Sequence, residues 1–288
     1  MLAGHQAGEP AATGGCPRVP RRPGVAAKDI GGKVSDDTHP IAPPHGTPPE
    51  AAFAGYAGEE LETIALARNY YEWLSEQFRP FLCGTVLDLG AGIGTFSKRL
   101  LVASVTRLLC LEPAENLVPL LRRAMAAYGD RIAILPTPAE ELADHLEPAS
   151  LDTVVSVNVL EHIPQDAAVL CALRDLLKPG GHLCLFVPAM PGLWGSLDTA
   201  YGHVRRYTRR ELSEKLQGAG FRIVSARYWN LLGAAGWLWM GRVRKRTALS
   251  PGMVRTFDRI GVPYLRRVEP WLRLPFGQSL LAVAERPP

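Results

Sequence analysis

The sequence predicts an α/β fold: a doubly wound, mostly parallel sheet with helices on both faces. Two observations predict it. Short apolar runs alternate with helix-like patterns from about residue 85 to 228. A glycine-rich turn, Gly90-Ala91-Gly92-Ile93-Gly94, joins the first run to the first of those helices.

The first fifty residues hold no Phe, Trp or Tyr, and Pro40, Pro43, Pro44, Pro48 and Pro49 sit within ten positions. Such a stretch cannot bury enough apolar surface to offset its chain entropy, so 1–50 reads as a disordered tail. Arg18, Arg21 and Arg22 would suit a transit peptide, but the prolines spoil an amphipathic helix. Order is expected from Ala51, with one domain over 51–288. Leu61, Ile64, Ala65, Tyr71, Leu74 and Phe78 have helical spacing over 58–79, and Pro80 ends that helix.

Strands are then expected at 85–89, 107–112, 131–135, 151–158, 182–187, 221–228 and 279–285. Helices are expected from about Thr95, over 114–127, 139–145 and 165–177, and over 208–217 with Thr208 as its cap. Lys178-Pro179-Gly180-Gly181 is a breaker before the fifth strand. Residues 229–276 form a long insertion before the last strand.

The composition narrows the function. The chain has 288 residues, is 47% hydrophobic and carries a net charge of +4, so it can build a core and lacks the concentrated charge of a nucleic-acid binder. Its five Cys include no C-x-x-C pair, which argues against a disulfide framework or a zinc ribbon. No segment has the eighteen or so apolar residues needed to span a bilayer, and no secretory signal opens the chain. The expected compartment is the cytoplasm.

The turn at 90–94 has the spacing G-x-G-x-G, whereas the dinucleotide fingerprint is G-x-G-x-x-G, with Thr95 here in the last position. Asp88 precedes it. A carboxylate there serves a pyrophosphate poorly and a cationic ligand well, which opposes a nicotinamide oxidoreductase. Glu112, before Pro113, ends the second strand, where an acid can accept both hydroxyls of a ribose.

Residues 86–94, Glu112, Pro138-Ala139-Glu140, Asn158-Val159-Leu160-Glu161-His162 and 177–181 fall in an order that resembles class I S-adenosylmethionine-dependent methyltransferases. Asn69-Tyr70-Tyr71-x-Trp73 and Gly202-His203-Val204-Arg205-Arg206-Tyr207 are similar to segments of the ubiquinone-pathway O-methyltransferase branch. The resemblance implies a Rossmann-like, seven-stranded sheet with an antiparallel last strand and S-adenosyl-L-methionine as cofactor. It implies Asp88, Gly90, Ala91, Gly92 and Gly94 at the methionine part, with Tyr71 nearby. It implies Glu112 and Pro113 at the ribose, Ala139 and Glu140 at the adenine, and Asn158 and Val159 beside the sulfonium.

Methyl transfer from a sulfonium is an in-line displacement, so the protein mainly aligns the acceptor and excludes water. A neutral hydroxyl also needs a base in reach. His203 and His162 are the candidates. Arg205, Arg206 and Tyr207 are candidate acceptor contacts, since arginine forks suit an anion. The alternative is that one arginine pairs with a structural acid such as Asp198. The branch's E-x-x-E-H metal pattern has Asn158 in the place of its first acid, so no metal is expected.

The insertion opens with a Trp-rich run at 229–240, then Arg242, Arg244, Lys245 and Arg246. It suits a lid, a dimer face or a membrane surface through 229–246. The expected function is methyl transfer to a small molecule at oxygen. N- or C-methylation, a lipid-linked acceptor or a non-catalytic cofactor-binding module stay open.

Overall fold

The computed structural model describes residues 59–272 and 275–288. The tail read over 1–50 and the expected start at Ala51 lie outside them. Seven strands form one sheet: β1 (Gly84–Leu89), β2 (Val105–Leu111), β3 (Ile132–Leu135), β4 (Leu151–Val157), β5 (Leu177–Pro188), β6 (Arg222–Trp229) and β7 (Ser279–Glu285). Their order is β3-β2-β1-β4-β5-β7-β6, with β7 antiparallel to both neighbours. The sheet is therefore mostly parallel with an antiparallel last strand, and strand order reverses between β1 and β4.

Strand composition explains the layering. Val86, Leu87 and Leu89 in β1 and Leu183 to Val187 in β5 are buried on both faces, as continuous apolar runs in a covered parallel sheet should be. One core joins Leu87, Leu109, Val154, Leu185 and Ala282 to Leu170, Leu173, Leu212 and Leu216. These last four come from α6 (Asp166–Leu176) and α8 (Arg209–Gly218). The other core packs Val86, Leu108, Phe186 and Leu281 under Leu74 and Phe78 of α2 (Arg68–Phe78) and Leu121 of α4 (Val118–Met125).

The expected helix over 58–79 is two helices, α1 (Glu59–Ile64) and α2. A distant carboxylate supports the second start: Asp258 accepts the N–H of Asn69 at 3.2 Å and of Tyr70 at 2.9 Å. The helix expected from Thr95 shrinks to α3 (Ser97–Leu100), because Gly90, Gly92 and Gly94 all have positive φ and carry the loop further. The breaker at 178–181 lies inside β5 as a bulge: Leu177 pairs with Leu151 and His182 with Thr153. Thr208 does cap α8, its Oγ1 accepting from Glu211 N at 3.1 Å.

Between β3 and β4 lies α5 (Leu142–His145), and α7 (Ser196–Ala200) follows β5. The insertion is mostly helical: α9 (Leu231–Leu238), α10 (Pro251–Thr256) and α11 (Val262–Val268), with π turns at Trp239–Val243 and Phe257–Gly261. It packs on α7 at one end and on α1 and α2 at the other. Trp229 belongs to β6 and is fully buried, stacked 3.9 Å from Trp73. No described helix is long and apolar enough to cross a membrane.

Candidate active site

The glycine loop leaves the carboxyl end of β1 beside the point of strand reversal. Gly90 and Ala91 donate to Leu111 O at 2.9 and 2.8 Å, which folds the loop back over β2. Gly90 has φ +75°, and a Cβ there would lie 2.3 Å from Val159 Cγ2, so only glycine lets the β1 and β4 loops touch. Leu61 of α1 lies over Gly92.

Two buried acids flank this loop. Glu112 accepts from Gly92 N at 2.8 Å on one oxygen and from Ala114 N at 2.9 Å on the other. Asp88 accepts from Ser97 Oγ at 2.6 Å. Burial pushes the Asp88 carboxyl up to about 7, with Ser97 opposing and Glu112 adding to the rise. Burial also raises Glu112 against its two backbone donors. Among the described residues neither acid has a cationic partner, so a cationic ligand would find two carboxyl groups that no cation already neutralises.

The other residues expected at the donor site lie on the turns after β2, β3 and β4 and, for Tyr71, in α2. Ala139 is buried and Glu140 partly so, on a turn after β3; Pro113 directly follows Glu112. Asn158 is exposed with φ +54°, its N–H held by Phe186 O at 2.8 Å. Tyr71 is buried with its ring 5.9 Å from Phe96.

The same β4 loop carries a second cluster. His203 Nδ1 lies 2.9 Å from Asp198 Oδ1, and its Nε2 lies 3.9 Å from Glu161 Oε1. The His162 and His203 rings are 5.0 Å apart. Glu161 is fully buried, with no hydrogen-bond partner on either oxygen among the described residues. Burial pushes its carboxyl up to about 7 against the pull of His203. Burial, then His203, lowers His162 to about 4, with Gly202 O opposing.

The three expected acceptor contacts are otherwise engaged. Arg206 is buried and donates to Asp198 Oδ1 at 2.8 Å, Ala189 O at 2.7 Å and Gln278 O at 3.0 Å. The alternative read from sequence, an arginine paired with Asp198, is what the structure shows. Arg205 binds Asp166 Oδ2 at 2.9 Å and Pro164 O at 2.8 Å. Tyr207 is fully buried and donates to Asp166 Oδ2 at 2.8 Å. All three brace the loop after β5.

Several working contacts have no signal in the sequence, although the sequence already offers Asp198 as a structural partner for an arginine. Asp198 takes four donors: His203, Arg206, Gly195 N at 2.9 Å and Trp237 Nε1 at 3.0 Å. Asp166 takes Arg205, Tyr207 and Lys215. Asp258 and Glu269 each hold the start of a helix, α2 and α9. Glu161, His162 and His203 each offer one ligand atom within 4.8 Å of the others, a grouping that the Asn158 substitution did not suggest.

A family model described as a methyltransferase domain matches residues 43–226. The chain belongs to that family. The ubiquinone biosynthesis O-methyltransferase of Xanthomonas euvesicatoria pv. vesicatoria (strain 85-10) is 37% identical over 102 residues, 35% of this chain and 41% of that protein. The chain thus spans less than half of that relative's length. An S-adenosylmethionine-dependent methyltransferase from Mesorhizobium loti superposes with a TM-score of 0.52 at 19% identity, over 74% of this chain and 95% of that one. The [4+2]-cyclase SpnF superposes with a TM-score of 0.50 at 17% identity, over 75% and 80%. These likenesses show the fold; the cyclase shows that the fold alone does not name a reaction.

S-adenosyl-L-methionine is the cofactor of this methyltransferase family, and the residues present fit it. The bare backbone of 90–94 permits close approach, and Asp88 and Glu112 match a cationic ligand that carries a ribose.

Proposed function

We propose that the chain transfers a methyl group from S-adenosylmethionine to a hydroxyl oxygen of a small molecule, with His203 as the base. The observation that carries this reading is the double role of the β4 loop. Val159 closes on Gly90 at the donor loop, and two residues on Glu161 faces His203. A donor site and an imidazole–carboxylate pair thus share one wall. The donor supplies an electrophilic methyl group, and the protein's part is alignment, exclusion of water and removal of one proton.

Asp198 sets the imidazole. Burial raises its carboxyl, but His203, Arg206, Trp237 and Gly195 N together hold it below the usual range. An ionised Asp198 takes the proton on Nδ1, which leaves Nε2 as the accepting atom. Oxygen is favoured because an imidazole–carboxylate pair suits an acceptor that must lose a proton, and the curated relative is named as an O-methyltransferase. With Arg205 and Arg206 engaged elsewhere, the acceptor is proposed as neutral at the reacting group.

The test is transfer of a labelled methyl group from the donor to panels of hydroxyl, amine and carbon acceptors, with wild type and His203→Ala. The reading expects label in a methyl ether and a large loss of rate in the variant. Label only on nitrogen or carbon, or full rate in the variant, would overturn it.

A further inference from the structure

The backbone stays helical from Pro251 to Trp271, through α10, a π turn, α11 and a last tight turn. Its inner face is Asp258, Val262, Leu265 and Glu269, all buried, at spacings of four, three and four residues. Its outer face repeats that rhythm with Ile260, Tyr264, Arg267 and Trp271. Ile260 is 70% exposed, Tyr264 59% and Trp271 87%. A surface helix normally turns polar residues outward; this one also turns large apolar side chains to solvent.

The charges are as lopsided. Both acids of the segment, Asp258 and Glu269, point inward and hold other helix starts. Arg266 pairs with Glu76. Arg255, Arg259 and Arg267 are exposed with no acidic partner among the described residues. The Trp-rich run at 229–240 exposes Leu232, Leu238 and Trp239 but buries Trp229 and Trp237.

We propose that the outer face of 251–271 docks in the plane of an anionic lipid bilayer, with Ile260, Tyr264 and Trp271 in the interface and the three free arginines against lipid phosphates. An apolar stripe with basic flanks and no outward acid has that complementarity. A second copy of the chain is a poorer occupant, since a two-fold contact through this face would set arginines against arginines. The docked helix would back directly onto the donor site: α10 packs on α1, and Leu61 of α1 covers Gly92. The inference stands apart from the methyl-transfer reading and does not need it.

The experiment is sedimentation of the full chain with vesicles of phosphatidylcholine alone or mixed with phosphatidylglycerol, at low and high salt. The expected result is binding to the mixed vesicles only, weakened by salt. Arg255→Gln, Arg259→Gln and Arg267→Gln together should reduce binding roughly a hundredfold, at about fivefold per arginine. Ile260→Ser with Trp271→Ser should abolish it, and Trp239→Ser should leave it unchanged. All these positions are exposed, and a thermal melt checks folding; if the apolar variant melts early, the arginine variant decides. The proposal is overturned by equal binding to both vesicles, by wild-type binding in the arginine variant, by loss of binding in Trp239→Ser alone, or by a solution dimer that Ile260→Ser with Trp271→Ser splits.

Discussion

His203 and Asp198 form an imidazole–carboxylate pair at 2.9 Å, and the carboxylate oxygen they share also takes Arg206 at 2.8 Å. His203, the proposed base, is therefore oriented by a carboxylate that, against burial, His203 itself and then Arg206 hold below the usual range. His203→Ala should lower the maximal rate by roughly 10²- to 10⁴-fold while calorimetry finds donor affinity unchanged. Its melting temperature should move little, because Asp198 keeps Arg206, Trp237 and Gly195 N. An unchanged rate would remove His203 as base and leave Glu161 or His162.

Arg206→Ala should act on stability before kinetics. It strips a buried carboxylate of its cation, typically about 3–5 kcal/mol. Denaturant melts should show a loss of that order, with donor and acceptor parameters falling together. A well-folded variant with only a raised acceptor Michaelis constant would restore Arg206 to the acceptor site.

Gly90→Ala should impair donor binding through a clash that can be relieved. The new Cβ would meet Val159 Cγ2 at 2.3 Å, on a backbone with φ +75°. Adding Val159→Ala should recover part of the affinity, since the φ cost of about 1 kcal/mol remains. No recovery in the double variant would mean that the two loops are not in contact.

Donor affinity should tighten as pH rises through about 7. The Asp88 carboxyl is pushed up to about 7 by burial first, and a cationic ligand needs it ionised. Below that value affinity should weaken by up to about tenfold per pH unit, with proton release on binding. Calorimetry in buffers of different ionisation enthalpy reads both. Asp88→Asn should flatten the profile; an unchanged profile would separate Asp88 from the donor.

Glu161 predicts a pH-dependent stability of definite sign. Burial lifts it from 4.5 to about 7, so in that window the folded chain holds a proton that the unfolded chain has lost. Stability from this group is therefore lost as pH rises from about 4.5 to 7. Glu161→Gln should be more stable than wild type at pH 8, by up to about 3 kcal/mol, and no more stable at pH 4. His162, lowered to about 4, has the opposite sign: its contribution is present above 6.5 and lost as pH falls toward 4. Chemical denaturation across pH 4–8 checks both.

The sheet and the donor loop were legible in the sequence because their signals are local. Apolar runs such as 183–187, and 86–89 interrupted only by Asp88, describe strands buried on both faces, and three glycines in five residues describe a backbone that must turn tightly. That Asp88 and Glu112 lie beside this turn was legible because each sits at a strand end close to it along the chain. The Thr208 cap depends only on its neighbours, and it too was expected.

Apart from an arginine on Asp198, side-chain partners across the fold were not legible. Asp198 lies five residues from His203 and 39 from Trp237, and Asp258 lies 189 from the helix start that it holds. Arg205, Arg206 and Tyr207 look in sequence like a run of ligand contacts. Folding puts Arg206 on Asp198 and brings Arg205 and Tyr207 together on Asp166, because a charge or hydroxyl taken out of water must find a partner within the protein. The sequence by itself determined which segments become strands and where a cofactor can approach the backbone. Only the tertiary structure decided which polar groups are left to do chemistry, since that depends on which of them packing has already paired.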